Sequence, residues 1–544
     1  MVFPHIDPPP PIVLATLNAK YIHASLGLRY LLANMARHGG TDLRARTVLR
    51  EFTIARKPQE VAQELLALNP AIIGLGVYIW NVTQTCEVVR LLKAARPELK
   101  VVLGGPEVSH EADQQEIVRL ADHVITGWGD VSFPKLCRAL LHGPQPLMKV
   151  MAGEQPSLDQ IDLPYGEYSD DDLAHRLLYV EASRGCPFKC EFCLSSLDKT
   201  AWAFDLDAFL AAMAVLYQRG ARNFKFVDRT FNLKVDASVR ILQFFLDRLP
   251  APGLADPQGN LFVHFEVIPD HLPDRLKAMI AQFPPGSMQL EVGVQSFNVA
   301  VQERIARKQD NAKTEANLRW LVHHSKAHLH ADLIFGLPGE TLESFASGFD
   351  RLHALGPHEI QLGVLKRLRG TPIARHTQAH GMVYASSAPY TVQQTAVVDA
   401  QAMQRFTRFA RYWDLVANSG RFKQTLRLLL DEPVPTGQLA SGAPHSPFAA
   451  FSAFTDFLWQ SSASTSGLSP EQLVDALYDH LCQRGDVPQA TVHSALLADY
   501  LASGARGGHP RALQGSLSRR ARLAHAQAPA ADSLVQRQQR HLAD

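Results

Sequence analysis

Cysteine is scarce in this chain, six among 544 residues. Small secreted folds held by disulfides are far denser in cysteine, so the count points to a reducing compartment, and a cytoplasmic location is expected. No stretch of about 20 apolar residues occurs, which excludes an ordinary helical membrane span. The opening "MVFPHIDPPPP" lacks a basic segment followed by an apolar one, so no secretory leader is expected. A surplus of positive charge is also missing: 54 Lys and Arg face 53 Asp and Glu. Dedicated nucleic-acid binders carry a basic excess, so nucleic acid is not an expected partner. Apolar mass is ample, at 46% of residues. At about 150 residues per domain the length suggests three or four units.

Two series of strand-like and helix-like segments follow one another. In the first, "PIVLATL" (11–17), "PAIIGLGVYIW" (70–80), "KVVLGGPEV" (100–108) and the start of "ADHVITGWGDVSFPKLCRALL" (121–141) read as buried strands. Amphipathic helical patterns over 25–39 and 83–97 separate them. Such alternation predicts a parallel sheet covered on both faces, over residues 1–150. Gly104, Gly105, Gly127 and Gly129 fall just after strand ends, where open parallel sheets bind ligands and where glycine lets backbone approach a large group. Residues 151–175 are acidic, polar and interrupted by Pro and Gly, the pattern of a linker.

The second series, 176–375, has six strand-like runs: 177–183, 223–228, 261–269, 287–296, 328–336 and 358–366. Helical patterns at 205–219, 236–249, 272–282 and 312–325 lie between them. Right-handed crossovers would curl these units into a partial (β/α)6 barrel, with chemistry at the carboxyl ends of the strands. From 376 to 502 strands give way to helices, for example 397–420, 448–459 and 469–485. Residues 503–544, rich in Ala, Arg, Gln and His, read as a loose helix or a flexible tail, and the first eleven residues as a disordered lead-in.

Half of the cysteines sit in "RGCPFKCEFC", Arg184 to Cys193. Cys186, Cys190 and Cys193 follow the first strand of the second series, where a barrel places its active centre. Closely spaced thiols in a reducing compartment point to metal. Structural zinc takes four ligands, usually as two separated pairs, and no second pair or HxxxH motif is nearby. An iron–sulfur cluster ordinarily takes four thiolates, so a trio leaves one iron open to substrate or cofactor.

The spacing CxxxCxxC, with Phe192 before the last cysteine, closely resembles the signature of the radical S-adenosylmethionine (SAM) superfamily. The stretches "GVQSFN", "RIARKQD" and "DLIFGLPGET" look like its anaerobic coproporphyrinogen oxidase branch. The resemblance implies a 4Fe-4S cluster on Cys186, Cys190 and Cys193 and SAM on the open iron. It implies ribose contacts from Glu266, Gln295 and Asp332, a carboxylate contact from Arg307, and SAM contacts at Phe192 and near Asp228, where "KFVDRTFN" replaces the usual Gly-Gly turn. A one-electron donor such as a flavodoxin or ferredoxin is also implied.

An α/β domain of this type ahead of a radical SAM barrel resembles the cobalamin-binding class of radical enzymes. "GLGVYIWN", "LGGPEVS" and "ITGWGDVSFPKL" carry that likeness. It implies that Tyr78, Trp80 and Asn81 meet the corrin and that Gly104, Gly105, Gly127 and Gly129 clasp the nucleotide tail. The cobalt-ligating Asp-x-His-x-x-Gly loop of many cobalamin proteins reads "YIHASLG" here, with Tyr21 in place of Asp, so His23 is expected to be a satisfied loop histidine. The class methylates or rearranges unactivated carbons of small molecules or peptides. Two alternatives stay open: a radical SAM enzyme without cobalamin, whose first domain binds substrate or partner, and a zinc-stabilised binding protein.

Overall fold

A computed structural model describes residues 11–198, 200–250, 259–431, 445–503, 509–517 and 540–541. The chain divides into two compact units, one comprising Met1–Glu266, Lys366–Arg375 and Tyr384–Thr391, the other Val267–Leu365, His376–Val383 and Val392–Asp544.

The first unit opens with six parallel strands: β1 (Ile12–Asn18), β2 (Thr47–Thr53), β3 (Ile72–Gly76), β4 (Lys100–Gly104), β5 (His123–Thr126) and β6 (Val150–Ala152). Their spatial order is β2-β1-β3-β4-β5-β6. β1 and β3 are buried along their whole length, because helices cover both faces. Helix Leu26–Gly39 begins where Ser25 accepts a hydrogen bond from the Leu28 amide, and packs Leu28, Leu32 and Met35 against Phe133 and Leu136 of helix Ser132–His142. Helix Val82–Ala95 buries Val88, Val89 and Leu92 on the opposite face.

Two features depart from the sequence reading. β2 and the helix Pro58–Ala67 were not expected; "TVLREFT" lies at a sheet edge, half exposed, with Arg50 and Glu51 at its centre, so it lacks the apolar run of a buried strand. The expected strand over 70–80 is only Ile72–Gly76, because the chain turns at Tyr78, where Asn81 Oδ1 accepts from the Tyr78 amide at 2.8 Å.

Residues 151–175 are packed rather than loose. Tyr165 and Tyr168 are buried, and Asn34 exchanges two hydrogen bonds with the backbone of Asp162. Asp172, inside helix Asp170–His175, reaches Arg29 at 2.8 Å. The segment leads into β7 (Leu178–Val180), a short hairpin of β8 (Ser183–Arg184) and β9 (Trp202–Ala203), then β10 (Asn223–Phe226) and β11 (Phe262–Val267). β10 runs parallel to both β7 and β11.

In the second unit β12 (Met288–Gln295), β13 (His328–Phe335) and β14 (Glu359–Val364) are parallel, with β13 in the middle. Among the described residues five α-helices follow: Ala400–Val416, Lys423–Leu430, Pro447–Ser462, Pro470–Arg484 and Gln489–Ala502. Phe406, Phe409 and Trp413 interleave with Phe448 and Phe451 in their core, so the aromatic spacing seen in the sequence serves packing. Most of 503–544, and residues 1–10, lie outside the described residues, so the expectations of a flexible tail and lead-in are not addressed.

Candidate functional site

The carboxyl ends of β3, β4 and β5 open onto a cleft of ≈ 320 Å³ in the first unit. Gly104, Gly105, Gly127 and Gly129 line it with Tyr78 and Trp128. Gly105 has φ +106, and a Cβ there would stand 2.5 Å from the Val77 carbonyl oxygen, so only glycine carries the backbone through this turn. At Gly127 a Cβ would meet nothing within 4 Å, so the bare backbone leaves space on the cleft wall. Tyr78 and Trp80 stack with ring centroids 4.4 Å apart, and Trp80 is 46% exposed.

Asn81 does not share this setting. It is fully buried, and its Nδ2 donates to Leu17 O at 3.0 Å and Gly76 O at 3.2 Å. The expected corrin contact is therefore corrected: Asn81 locks the turn after β3, and its polar atoms are already spent. His23 Nδ1 lies 2.8 Å from the Tyr179 hydroxyl. Burial, then Lys225 and Lys20, lower its pKa.

The cysteine loop leaves the carboxyl end of β7 and is closed at its base by the β8–β9 hairpin, with Arg184 opposite Trp202. The Cys186 amide donates to Asp198 O at 3.0 Å and the Cys193 amide to Cys190 O at 3.1 Å. Ser196 Oγ donates to the carbonyls of both Cys190 and Cys193. None of the six cysteines is in a disulfide. Cys186 and Cys190 are buried and Cys193 is half-buried. Among the described residues no three His, Cys, Asp or Glu side chains converge as ligands of a single ion.

Asp228 closes the neighbouring strand end. Its carboxylate accepts from the Ala182 amide at 3.0 Å and Ser183 Oγ at 2.5 Å, and burial pushes its pKa up to about 7. The side chain thus braces the start of the cysteine loop. Glu266, near the end of β11, pairs with Arg229 at 2.7 Å. Phe192 is half-buried within the loop.

In the second unit three expected residues gather. Gln295 ends β12 with φ +70, and Asp332 lies in register with Gly293. Arg307 donates to the Gly293 carbonyl and, through Nε, to Gln309 Oε1 at 2.9 Å. His330 Nε2 is 3.8 Å from Asp332 Oδ1.

Several residues around the cysteine loop were not singled out by sequence. Arg184 forks onto Asp130 at 2.9 and 3.1 Å and onto Glu181 at 2.7 Å. Glu191, inside the motif, is 3% exposed; its carboxylate pairs with Arg375 and its carbonyl accepts from the Ile373 amide. Arg369 and Tyr390 hold Glu107, just past the Gly104–Gly105 turn. The only sequence signal was a charged residue set beside or inside each motif, and nothing local reveals partners up to 283 positions away.

Three family matches agree with this layout: a B12 binding domain over residues 12–137, the radical SAM superfamily over 180–352, and a family of unknown function, DUF4080, over 378–539. An uncharacterized methyltransferase, PH0819, of Pyrococcus horikoshii is 28% identical over 253 residues, 41% of this chain and 53% of that protein. The cobalamin-dependent radical SAM methyltransferase TokK of Streptomyces tokunonensis is 24% identical over 343 residues, 56% of this chain and 48% of that protein. The chain thus spans about half the length of the curated relatives it matches. The radical SAM methyltransferase TsrM of Kitasatospora setae, solved with cobalamin and a [4Fe-4S] cluster, superposes with a TM-score of 0.55 at 16% identity, covering 72% of this chain and 82% of that one. The two domain types imply a 4Fe-4S cluster, SAM and cobalamin as cofactors. The chain thus carries a region matching the B12 binding domain ahead of a region matching the radical SAM superfamily.

Proposed function

We propose that this protein is a cobalamin-dependent radical SAM enzyme that methylates or rearranges an unactivated carbon of a small-molecule or peptide substrate. The observation that carries the reading is the hairpin-closed loop at the end of β7, which presents three unpaired thiols in CxxxCxxC spacing. When bound, the cluster supplies an electron that cleaves SAM to the 5′-deoxyadenosyl radical, and cobalamin supplies a methyl group.

The chain's own residues then bind and orient. Cys186, Cys190 and Cys193 hold three irons, and Ser196 fixes the loop backbone between the last two. Phe192 and the backbone around Asp228 flank the SAM methionine group. Gln295 and Asp332 offer amide and carboxylate oxygens suited to the ribose hydroxyls. Arg307 meets the methionine carboxylate by a charge-assisted contact. Tyr78 and Trp80 present a stacked aromatic face to the corrin, and the backbone at Gly104, Gly105, Gly127 and Gly129 admits the nucleotide tail. His23 is held through Nδ1 by the Tyr179 hydroxyl, which fixes the ring's orientation. The likeness to TokK, a cobalamin-dependent radical SAM methyltransferase, supports methyl transfer over rearrangement. A flavodoxin or ferredoxin supplies the electron.

Anaerobic reconstitution tests this. The expected result is about four irons per chain, an electron paramagnetic resonance signal after reduction, cobalamin uptake, and 5′-deoxyadenosine formed from SAM. Serine at any of the three motif cysteines abolishes the cluster signal, whereas Cys482→Ser retains it. One equivalent of zinc with no cluster signal would overturn the proposal.

A further inference from the structure

We infer that Arg184 is a positioning residue that couples the cobalamin cleft to the cluster loop, so that each cofactor tightens the hold on the other. This rests on the cofactor assignment proposed above. Arg184 lies two positions before Cys186, on β8, where its backbone pairs with Trp202 at the base of the cysteine loop. Its side chain points back to the first sheet. Nη1 and Nη2 donate to the two oxygens of Asp130 at 2.9 and 3.1 Å, and Nε donates to Glu181 at 2.7 Å. The guanidinium also lies over three rings, 4.3 Å from Tyr30, 4.8 Å from Trp128 and 5.5 Å from Phe204. Arg184 is 14% exposed at its side chain and Asp130 7%.

Asp130 belongs to the turn that follows β5, directly after Gly127 and Gly129, and it lines the glycine cleft together with Trp128 and Arg184. One rigid group therefore joins the wall of one cofactor site to the root of the other. A fork of two parallel hydrogen bonds fixes both distance and angle, so the turn and the loop base cannot shift independently without breaking a desolvated pair. A ligand that orders the turn orders the loop base through the same contact. Coupling of this kind is reciprocal, and couplings between sites are typically about 5–150-fold. Lysine cannot reproduce the fork, having one point charge and no plane to lay on the rings.

The test uses the full chain, purified anaerobically with and without reconstituted cluster. Hydroxocobalamin is titrated by absorbance, and iron loss to a chelator is timed with and without hydroxocobalamin. In the unaltered protein, hydroxocobalamin is expected to bind about tenfold more tightly to the cluster-loaded form, and iron loss to slow when it is bound. In Asp130→Asn and Arg184→Lys both cofactors still load, but the affinity ratio falls to near one. Asp130→Asn keeps the shape of the side chain, so it carries the test if Arg184→Lys does not fold. Arg351→Gln, which breaks a pair with Glu315 in the second unit, keeps the full ratio. If the unaltered protein loads both cofactors with a ratio within twofold of one, or if both variants keep its ratio, the inference is overturned while the proposed function stands. If the unaltered protein takes up neither cofactor, the proposed function fails first.

Discussion

Replacing Glu51 with Gln is expected to destabilise the first unit by about 3 kcal/mol. Glu51 Oε2 accepts from Arg29 Nη2 and Arg176 Nη1, both at 2.8 Å. Its Oε1 accepts from the Ser25 amide at 2.6 Å and from Asn18 Nδ2 at 2.9 Å. All four donors point at one carboxylate that is 6% exposed, and Arg29 is 2% exposed. The amide of Gln removes one negative charge and turns an N–H group towards donors, yet leaves the volume almost unchanged, so no cavity confuses the result. Two guanidiniums then share Asp172 alone. Breaking a buried ion pair from one side costs about 3–5 kcal/mol, and the remaining amide oxygen places this change near the lower figure. At about 2–4 °C per kcal/mol for a unit of this size, the first-unit transition should fall by about 6–12 °C. Thermal unfolding of the cofactor-free chain, followed by circular dichroism, measures it. Glu98→Gln serves as the control, because that carboxylate is 71% exposed and its pair with Arg96 is at the surface; its effect should stay within about 0.5 kcal/mol. Equal shifts for the two variants would refute the reasoning.

Glu340, 2% exposed, has its pKa pushed up to about 7 by burial, against the pull of the Ser296 hydroxyl at 2.5 Å. Its stabilising contribution is full below pH 4.5 and is lost as pH rises through 7, so Glu340→Gln should gain up to about 3 kcal/mol on the native chain between pH 4.5 and 8; urea titrations giving the same difference at pH 5 and pH 8 would contradict this. Asn81→Ala should cost about 2–3 kcal/mol in chemical denaturation, since it strands the Tyr78 amide and two buried carbonyls, whereas Trp80→Ala should cost under about 1 kcal/mol. Gly105→Ala should weaken hydroxocobalamin uptake by at least about tenfold, read by absorbance titration, because the added methyl collides with the Val77 carbonyl and displaces the cleft wall.

Much of this architecture was legible because the signals are local. The six strands of the second series and the cysteine loop declare themselves through apolar runs and thiol spacing, which depend only on near neighbours. β2 was hidden for the opposite reason: an edge strand carries Glu51 to meet Arg29 and Arg176, and only the folded neighbourhood explains a charged pair in its middle. Asn81 was misjudged because its sequence position, one residue past Trp80, says nothing of which way the amide turns. Arg184 stood in plain view beside Cys186, yet its role depends on Asp130, 54 positions earlier. The polar character of 151–175 reads as a linker until Asp162 and Asp172 are seen to meet partners on the helix Leu26–Gly39.

The return of residues 366–375 and 384–391 to the first unit bears on how the protein is made. Arg367 and Arg369 pair with Glu111, and Arg375 with Glu191, so acidic side chains fixed early in the sequence wait for cations translated more than 180 positions later. The residues of the first sheet, through Ala152, are made well before Ile373 and Arg375, so the clasp over the cysteine loop closes only after 375 residues have been made. Long-range closure of this kind is slow, and the interval leaves partly finished surface exposed.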